Sequence, residues 1–473
     1  MTDLRLDPPI PDVLELDIGT VANGGWCVAR HEGRVVFVRH TLPGERVRAR
    51  VTEVTKNFLR ADAVEILRAS PDRVVPPCPF AGPGRCGGCD WQHASLPAQR
   101  RLKAAVVEEQ LSRLAGIDRT VVVEEVPDPH HDEDELTARG PGLGWRTRVQ
   151  FAVRDDGVVG LRRHRSHQVE PVDECLIAHP GVEMIGIERK RWPGAASVEG
   201  IVSAGTGDRL VALRERASRS RGGGRRAAKV PRLDVPVRLL RGRGTPGGPQ
   251  PYVREEAAGR LWQVTGSGFW QVHPGAAQAL ADAVLAALEP RPGEIALDLY
   301  CGVGLFAGVL AERVGRDGLV VGVESDAQAV RDARFNLRDL RNVSIEQGRV
   351  EDVIAELEFG REHRPAEAGR SGRGGPAGRG GAGRRGGARE RENGLRADLV
   401  LLDPPRTGAG RQVVEHVAGL AGRKVAYVSC DAATLARDLA YFGEFGWTLQ
   451  SLRAFDAFPM THHVELVATL IPG

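Results

Sequence analysis

The strongest constraint on the fold is an apolar strand that runs into a glycine turn and then into an apolar helix. Residues 295–306 read IALDLYCGVGLF, and a second apolar run at 319–323 ends in Glu324. This spacing from a glycine turn to an acid at the end of the second strand is typical of a nucleoside-binding α/β unit. Glycines let the backbone approach the ligand, and the acid accepts hydrogen bonds from ribose hydroxyls. The pattern predicts a Rossmann-like parallel sheet.

The glycine turn also narrows the choice of ligand. It lacks the third glycine that dinucleotide-binding turns carry, so a bound dinucleotide is disfavoured and S-adenosylmethionine fits better. A further strand is predicted at 397–402, followed by the sequence DPPR at 403–406. Because the two prolines hold this loop rigid, we expect Asp403 to face the cofactor and substrate crevice.

A cysteine at the end of the next strand is the candidate nucleophile. The apolar run 425–429 predicts a buried strand, and Cys430 follows it. Asp431 and Thr434 are N-cap candidates for a helix from about Leu435. Ligands of open α/β sheets bind beyond the carboxyl ends of the strands, and a cysteine close to a helix N-terminus can have a lowered pKa. The alternative is a small buried hydrophobe, as most free cysteines are.

The chain ends in an apolar run that contains one carboxylate. We expect a final strand within residues 458–470, in which Glu465 lies among apolar residues. Such a carboxylate is usually either an edge residue or a functional one. If Glu465 lies near Cys430, it can serve as a base with a raised pKa.

The front of the chain has a different sequence pattern. Residues 13–67 contain short β-branched runs separated by glycine turns, which predicts five strands. Five short strands in so few residues indicate a small OB-type barrel, a common oligonucleotide-binding scaffold. The alternative is a structural barrel with ordinary solvated charges. A helix is predicted over residues 95–114, and strands are predicted within residues 146–172.

Seven cysteines occur in the 473 residues, and three of them, Cys78, Cys86 and Cys89, lie close together. The two-residue gap between the last two lets one loop wrap a metal, and Cys175 is a distant candidate for a fourth thiolate. Four thiolates without an interleaved histidine pair fit an iron–sulfur cluster or a structural zinc. Alternatively, Cys175 is an unrelated buried thiol and the loop binds zinc or nothing.

Composition sets outer limits on the protein class. The formal net charge of +3 does not by itself indicate a polyanion partner. The N-terminus shows no signal-peptide pattern and no run of 18 apolar residues occurs, so we expect a cytoplasmic protein. Residues 361–394 contain no Val, Ile, Leu, Met or aromatic residue. They predict a disordered Gly/Arg insertion, which is either a tolerated surface segment or an RNA contact.

Together the motifs resemble those of the RNA uracil-5 methyltransferases that use S-adenosylmethionine. The matching segments, in the order of that family, are GFWQVHP, DLYCGVGLF, LLDPPRTG, VSCDAATLARD and FPMTHHVE. The front is similar to the TRAM barrel of this family, and the cysteine arrangement is similar to the 4Fe–4S site of its ribosomal RNA branch. The chain departs from the family at Asp431-Ala432, where Asn-Pro is usual, and in the Gly/Arg insertion.

The resemblance implies a multidomain α/β protein in three parts. Residues 10–70 would form a TRAM/OB-like barrel, and residues 71–265 a central α+β RNA-binding domain with the iron–sulfur cysteines. Residues 266–473 would form a Rossmann-like class I methyltransferase domain that is interrupted at 361–394.

The resemblance also implies roles for individual residues. Cys430 would be the nucleophile and Glu465 the proton acceptor. The residues in contact with S-adenosylmethionine would be Gln271, Tyr300, Glu324 and Asp403, and those that hold the 4Fe–4S cluster Cys78, Cys86, Cys89 and Cys175.

The expected function is methylation of uridine at C5 in structured RNA by a monomeric enzyme. Ribosomal RNA, as 23S, is favoured over transfer RNA, because the cysteines resemble the ribosomal RNA branch. The alternatives are a transfer RNA uridine-5 methyltransferase and a non-catalytic RNA-binding or folding factor on the same scaffold. Cytosine-5 methylation is disfavoured, because the set of motifs fits the uracil pattern.

Overall fold

The computed structural model describes residues 11–130, 139–216, 228–242, 250–266, 268–359 and 396–473. The Gly/Arg insertion predicted at 361–394 lies outside the described residues. No helix in the described part of the chain is both long and apolar enough to cross a membrane.

The front of the chain forms one six-stranded sheet with the order β1-β5-β6-β4-β3-β2. Neighbouring strands are antiparallel except β4 and β6, which run parallel. Its strands are β1 Val13–Asp17, β2 Val21–Ala22, β3 Trp26–His31, β4 Arg34–Arg39, β5 Arg46–Val54 and β6 Phe58–Arg68. The sequence predicted five strands, because a two-residue strand such as β2 leaves no alternating pattern.

Burial in this sheet follows the period of two that a strand with one covered face requires. Residues on one face are buried while their neighbours are exposed or half-buried, as in β1, where Leu14 and Leu16 are buried between exposed residues. The same core includes Trp91 and Leu102, which lie beyond the sheet in the chain. The front sheet is therefore packed against the segment that follows it.

The middle of the chain contains a helix and a second six-stranded sheet. The helix α1, Leu96–Gln110, continues as a π-helical turn, Leu111–Ala115, and the predicted helix is thus confirmed. The sheet has the order β10-β9-β8-β11-β12-β13. A short helix α2, Pro180–Glu183, lies between β10 and β11 in the chain. Its strands are β8 Arg148–Val153, β9 Val159–Arg162, β10 Val169–Pro171, β11 Ala195–Val202, β12 Arg209–Glu215 and β13 Arg238–Arg241.

The C-terminal part begins with the hairpin of β14, Tyr252–Ala257, and β15, Arg260–Thr265, and then alternates strands with helices. The strands are β16 Ile295–Leu299, β17 Leu319–Glu324, β18 Val343–Gln347, β19 Ala397–Leu402, β20 Ala421–Ser429, β21 Trp447–Asp456 and β22 Glu465–Pro472. The helices are α3 Ala276–Leu288, α4 Leu305–Val314, α5 Ala327–Asn336, α6 Val350–Phe359, α7 Gly410–Leu420 and α8 Ala432–Glu444.

These strands form an eight-stranded mixed sheet with the order β18-β17-β16-β19-β20-β22-β21-β7. The first five strands are parallel, which confirms the predicted Rossmann-like sheet, and β22 is antiparallel to β20. The edge strand β7, Val123–Glu125, comes from the middle of the chain and pairs with β21. Helix α1 and the π-helical turn after it pack against this part of the protein, since Val107 and Leu111 share a hydrophobic core with Leu435.

Candidate active site

Cys430 lies at the carboxyl end of β20, as the sequence predicted, between a buried strand and a helix. Strand β20 begins at Ala421 rather than at residue 425, and α8 begins at Ala432 rather than near Leu435. Asp431 caps this helix, because its Oδ1 accepts a hydrogen bond of 2.9 Å from the backbone N of Thr434. Thr434 therefore lies in the first turn and is not the cap.

The pKa of Cys430 departs from the sequence-based prediction. Burial and the nearby carboxyls of Glu465 and Asp403 raise it, Arg406 lowers it, and together they bring the pKa to about 11. The predicted lowering of this pKa is therefore wrong for the ligand-free protein, because burial among carboxyls outweighs the helix N-terminus. The group that favours the thiolate is Arg406, whose guanidinium is hydrogen-bonded to the Cys430 side chain.

Glu465 is the first residue of β22 and is 5% exposed. Burial, together with Asp403, raises its pKa to about 8, while Arg406 lowers it. Ser429 pairs with Leu466 in the sheet, so Cys430 and Glu465 lie side by side at the same end of two neighbouring strands. Glu465 accordingly raises the pKa of Cys430. The sequence placed Glu465 inside a longer strand, but residues 457–464 form a loop instead, which we call the catalytic loop.

Two further carboxyls gather at this edge of the sheet. Burial raises the pKa of Asp403 to about 7. Asp298, which is fully buried in β16, has its pKa raised to about 8 by burial and by Asp403 and Glu324. Among the residues that the structure describes, no cation contributes to either pKa shift. A cationic nucleoside such as S-adenosylmethionine therefore fits this pair of carboxyls. Its positive charges would stabilise their negatively charged forms, which burial disfavours.

The glycine turn brings two of the predicted cofactor residues together. Tyr300 and Cys301 both donate backbone hydrogen bonds to Val323 O, at 2.9 and 3.0 Å. Gly302 N donates to Glu324 Oε2 at 3.1 Å. Tyr300 has a φ of +69°, which is a strained conformation for a non-glycine residue and is common at functional sites.

Gln271, the fourth predicted cofactor residue, is buried in the segment before α3. Within the described ranges, no hydrogen bond joins its side chain to the glycine turn. The neighbouring Val272 O accepts hydrogen bonds from the N and Oγ1 of Thr147, at 2.9 and 3.0 Å. This segment is thus anchored to the middle of the chain.

A pocket opens directly on Cys430, and it is lined by residues from all parts of the chain. The turn between β2 and β3 contributes one side, helix α1 another, and the catalytic loop a third. Its lining residues are Asn23, Lys103, Val106, Arg406, Cys430, Asp431, Ala432, His462, His463 and Val464. The half-buried Cys430 is therefore part of a pocket wall.

The four candidate metal cysteines are all free thiols in one region of the protein. Burial raises the pKa of Cys175 to about 12 and the pKa of Cys89 well above its usual value, and neighbouring cysteines contribute to both shifts. Gly87 passes so close to His164 that a Cβ would lie 2.6 Å from its backbone N. Yet no three His, Cys, Asp or Glu side chains in the described ranges are arranged to hold one metal ion.

Two residues of the site were not singled out from the sequence. Arg406 follows the two prolines of DPPR, and nothing in one sequence indicates that it reaches Cys430. Asp298 did carry a signal, because it is a carboxylate within an apolar strand, which is the pattern that singled out Glu465.

Comparison with protein families gives three matches along the chain. Residues 12–64 match the TRAM domain, and residues 290–362 match a methyltransferase domain. Residues 392–471 match the family described as tRNA (Uracil-5-)-methyltransferase. Together these matches cover the front sheet and the part of the chain that holds Cys430 and Glu465.

Whole-chain comparisons find relatives that match almost the full length of this chain. A protein named as an uncharacterized RNA methyltransferase of Streptomyces coelicolor is 51% identical, over 97% of this chain and 93% of its own length. One from Corynebacterium efficiens, with the same description, is 33% identical over 97% of this chain and 96% of its own length.

Among solved structures, the Pyrococcus abyssi tRNA (uracil-54, C5)-methyltransferase in complex with S-adenosyl-L-homocysteine superposes with a TM-score of 0.61. It covers 96% of this chain and 99% of its own, at 21% identity. At that identity the likeness extends to the fold alone.

Proposed function

The chain belongs to the RNA uracil-5 methyltransferase family, and from this membership we propose that it methylates C5 of uridine in structured RNA through a covalent adduct on Cys430. Methyl transfer from S-adenosylmethionine to RNA is the activity of its class. The observation that carries the finer proposal is that Cys430 and Arg406 line one pocket and that the buried Glu465 lies beside Cys430 at the end of the neighbouring strand.

Cys430 would add first, because C5 of uracil is too weak a nucleophile to take a methyl group directly. Its Sγ forms a bond to C6, and the C5=C6 electron pair moves toward C5 and the O4 carbonyl. The Sγ must lose its proton before this step. The Arg406 guanidinium is the cation that favours the thiolate, and it opposes the effect of burial and of Glu465 on the thiol pKa.

The remaining steps are the transfer of the methyl group and the removal of the C5 proton by Glu465. S-adenosylmethionine supplies an electrophilic methyl group on its sulfonium sulfur, which C5 of the activated ring takes. Asp403 and Asp298 provide the anionic surroundings that suit this cation. The Glu465 carboxylate then removes the C5 proton, the C5=C6 bond re-forms and the Cys430 thiolate leaves. A base with a pKa near 8 is matched to that task at neutral pH.

The four cysteines would hold the 4Fe–4S cluster that the resemblance implies. The proposal is supported by their chemistry, since Cys78, Cys86, Cys89 and Cys175 are free thiols that raise one another's pKa, although the described side chains are not arranged around a single ion. When bound, the cluster would supply a covalent cross-link between the cysteine loop and the middle sheet. On this basis 23S ribosomal RNA is our preferred substrate over transfer RNA, with the enzyme acting as a monomer.

A non-catalytic RNA-binding factor on the same scaffold is the rival from another class. It has no need of a half-buried cysteine with a buried carboxyl beside it, because burying ionisable groups costs free energy. Transfer RNA uridine-5 methylation uses the same chemistry and differs only in the RNA.

Methyl transfer from radiolabelled S-adenosylmethionine to ribosomal and transfer RNA transcripts tests the proposal. We expect incorporation with the wild-type protein, none with Cys430→Ala, and similar RNA affinity for both. Cys27→Ala is the matched control, because Cys27 is a buried free thiol of the front sheet. Methyl transfer that survives in Cys430→Ala would overturn the covalent mechanism, and the absence of transfer to any RNA would favour the rival.

A further inference from the structure

We propose that Asp90 is a positioning residue that ties the cysteine loop and the front sheet to the catalytic loop. The inference rests on the proposed function, because the catalytic loop leads directly into Glu465. Asp90 lies one residue after Cys89 and is 372 residues from its partner His462 in the chain. The contact therefore joins two segments that are far apart in the sequence.

Asp90 contacts the catalytic loop through both its backbone and its side chain. Its Oδ2 accepts a hydrogen bond from the backbone N of His462 at 3.2 Å and lies 2.6 Å from Nδ1 of the same residue. Asp90 N and Trp91 N both donate to Met460 O at 3.0 Å. The opposite carboxylate oxygen, Oδ1, lies 3.6 Å from Arg39 Nη2 at the end of β4.

From His462 the contacts continue to the nucleophile. The rings of His462 and His463 are 4.1 Å apart between centroids. Arg406 Nη2 lies 3.3 Å from His463 Nε2, and the same guanidinium is hydrogen-bonded to Cys430. We therefore expect a shift of His462 to move the groups that orient Arg406, which is the cation that lowers the pKa of the thiol.

The fit around this contact is tight. A Cβ on Gly25, in the turn before β3, would lie 3.0 Å from His462 Cβ and 3.3 Å from Asp90 Cβ, and Gly25 has a φ of +81°. On the other side, Gln99 of α1 accepts from Met460 N at 2.7 Å. The catalytic loop is thus held between the front sheet and α1. Asp90 is its carboxylate contact, and Lys103 Nζ of α1 donates to Phe458 O at 3.0 Å.

The Asp90 carboxylate is buried, so the folded protein needs the groups that pair with it. Only 11% of the Asp90 side chain is exposed, against 6% for Arg39 and 26% for His462. A buried carboxylate is tolerated when it is paired and hydrogen-bonded. Because Asp90 directly follows Cys89, a change in the cysteine loop reaches the catalytic loop through a charged side chain as well as through the backbone of Trp91.

A purely structural role for Asp90 would lower stability and RNA binding without a selective effect on chemistry. The test therefore compares Asp90→Ala, His462→Ala and the double variant in single-turnover methylation of the RNA that the wild type methylates. The matched control is Asp72→Ala, which removes an ion pair of 2.7 Å with Arg101 on α1 but no contact to the catalytic loop.

We expect each single variant to lose about tenfold or more in the single-turnover rate, because small misplacement of reacting groups has large effects. The RNA Kd should stay within about twofold, and the double variant should be no slower than the slower single one, since the two residues act as one unit. Asp90→Asn should recover part of the rate, because its amide oxygen still accepts from His462 N. Iron content should equal that of the wild type.

A second readout needs no activity. Amide hydrogen exchange at residues 460–463 should be faster in Asp90→Ala and unchanged in Asp72→Ala, because only the first change removes the acceptor of His462 N. Additive losses in the double variant, an equal loss in Asp72→Ala, or unchanged exchange would overturn the proposal. If the wild type methylates no RNA, the proposed function fails, and the exchange experiment still decides the role of Asp90.

Discussion

Replacing Glu465 by glutamine should stabilise the protein at alkaline pH while it removes the proposed base. Burial raises the pKa of Glu465 from 4.5 to about 8 in the folded protein. An acid with a raised folded-state pKa binds its proton more tightly when folded than when unfolded. Its contribution to stability is therefore complete below the unfolded pKa and is lost as the pH rises through the folded pKa.

The size of the effect follows from the two pKa values. Each pKa unit corresponds to about 1.4 kcal/mol, so the rise from 4.5 to about 8 amounts to at most ~5 kcal/mol between about pH 4 and pH 9. Glutamine has the same shape and does not ionise, so the variant escapes this loss. At roughly 2–4 °C per kcal/mol for a domain of 150–250 residues, the Tm of the variant should gain on the order of 10 °C relative to the wild type.

The assay is thermal unfolding of both proteins without ligand at about pH 5, pH 7 and pH 9. The control is Glu444→Gln, because Glu444 is an exposed carboxylate whose ion pair with Arg411 lowers its pKa. The deciding quantity is how the difference in Tm between wild type and Glu465→Gln changes with pH. A pH-independent effect of the amide on Tm does not alter this change. Parallel Tm profiles for wild type and Glu465→Gln would refute the reasoning.

Three further predictions concern the neighbouring groups. Arg406→Ala should move the rise of the single-turnover rate to higher pH, because the guanidinium lowers the pKa of Cys430; an unshifted profile would contradict this. Lys103→Met should cost about 3–5 kcal/mol, seen as a lower Tm, because it leaves Asp456 buried without the Nζ that lies 2.5 Å away; an unchanged Tm would exclude it. Cys175→Ser should lower the iron content of protein purified without oxygen, and full iron occupancy would exclude Cys175 as a ligand.

The local patterns predicted the parts of the site that depend on neighbours in sequence. The strand, the glycine turn and Glu324 were predicted because each side chain follows directly from the element before it. Cys430 at the end of β20 was predicted for the same reason. The helix start was misplaced, because Ala432 and Ala433 are compatible with either a loop or a first helical turn.

The rest of the site depends on contacts between distant parts of the chain. The pKa of Cys430 is raised by burial, Glu465 and Asp403 and lowered by Arg406. Asp403 and Arg406 follow β19, whereas Glu465 begins β22. Strand β7 joins the C-terminal sheet although it lies more than 300 residues before its partner β21. No periodicity or motif in one sequence records such a pairing, because strand registry across a fold is decided by packing.

The most direct test of the central claim is nucleoside mass spectrometry of ribosomal and transfer RNA from cells with and without this protein. Complementation with wild type and with Cys430→Ala completes the set. The account predicts that 5-methyluridine disappears from 23S ribosomal RNA and returns only with the wild-type chain. Unchanged 5-methyluridine in every RNA, or its return with Cys430→Ala, would contradict the account.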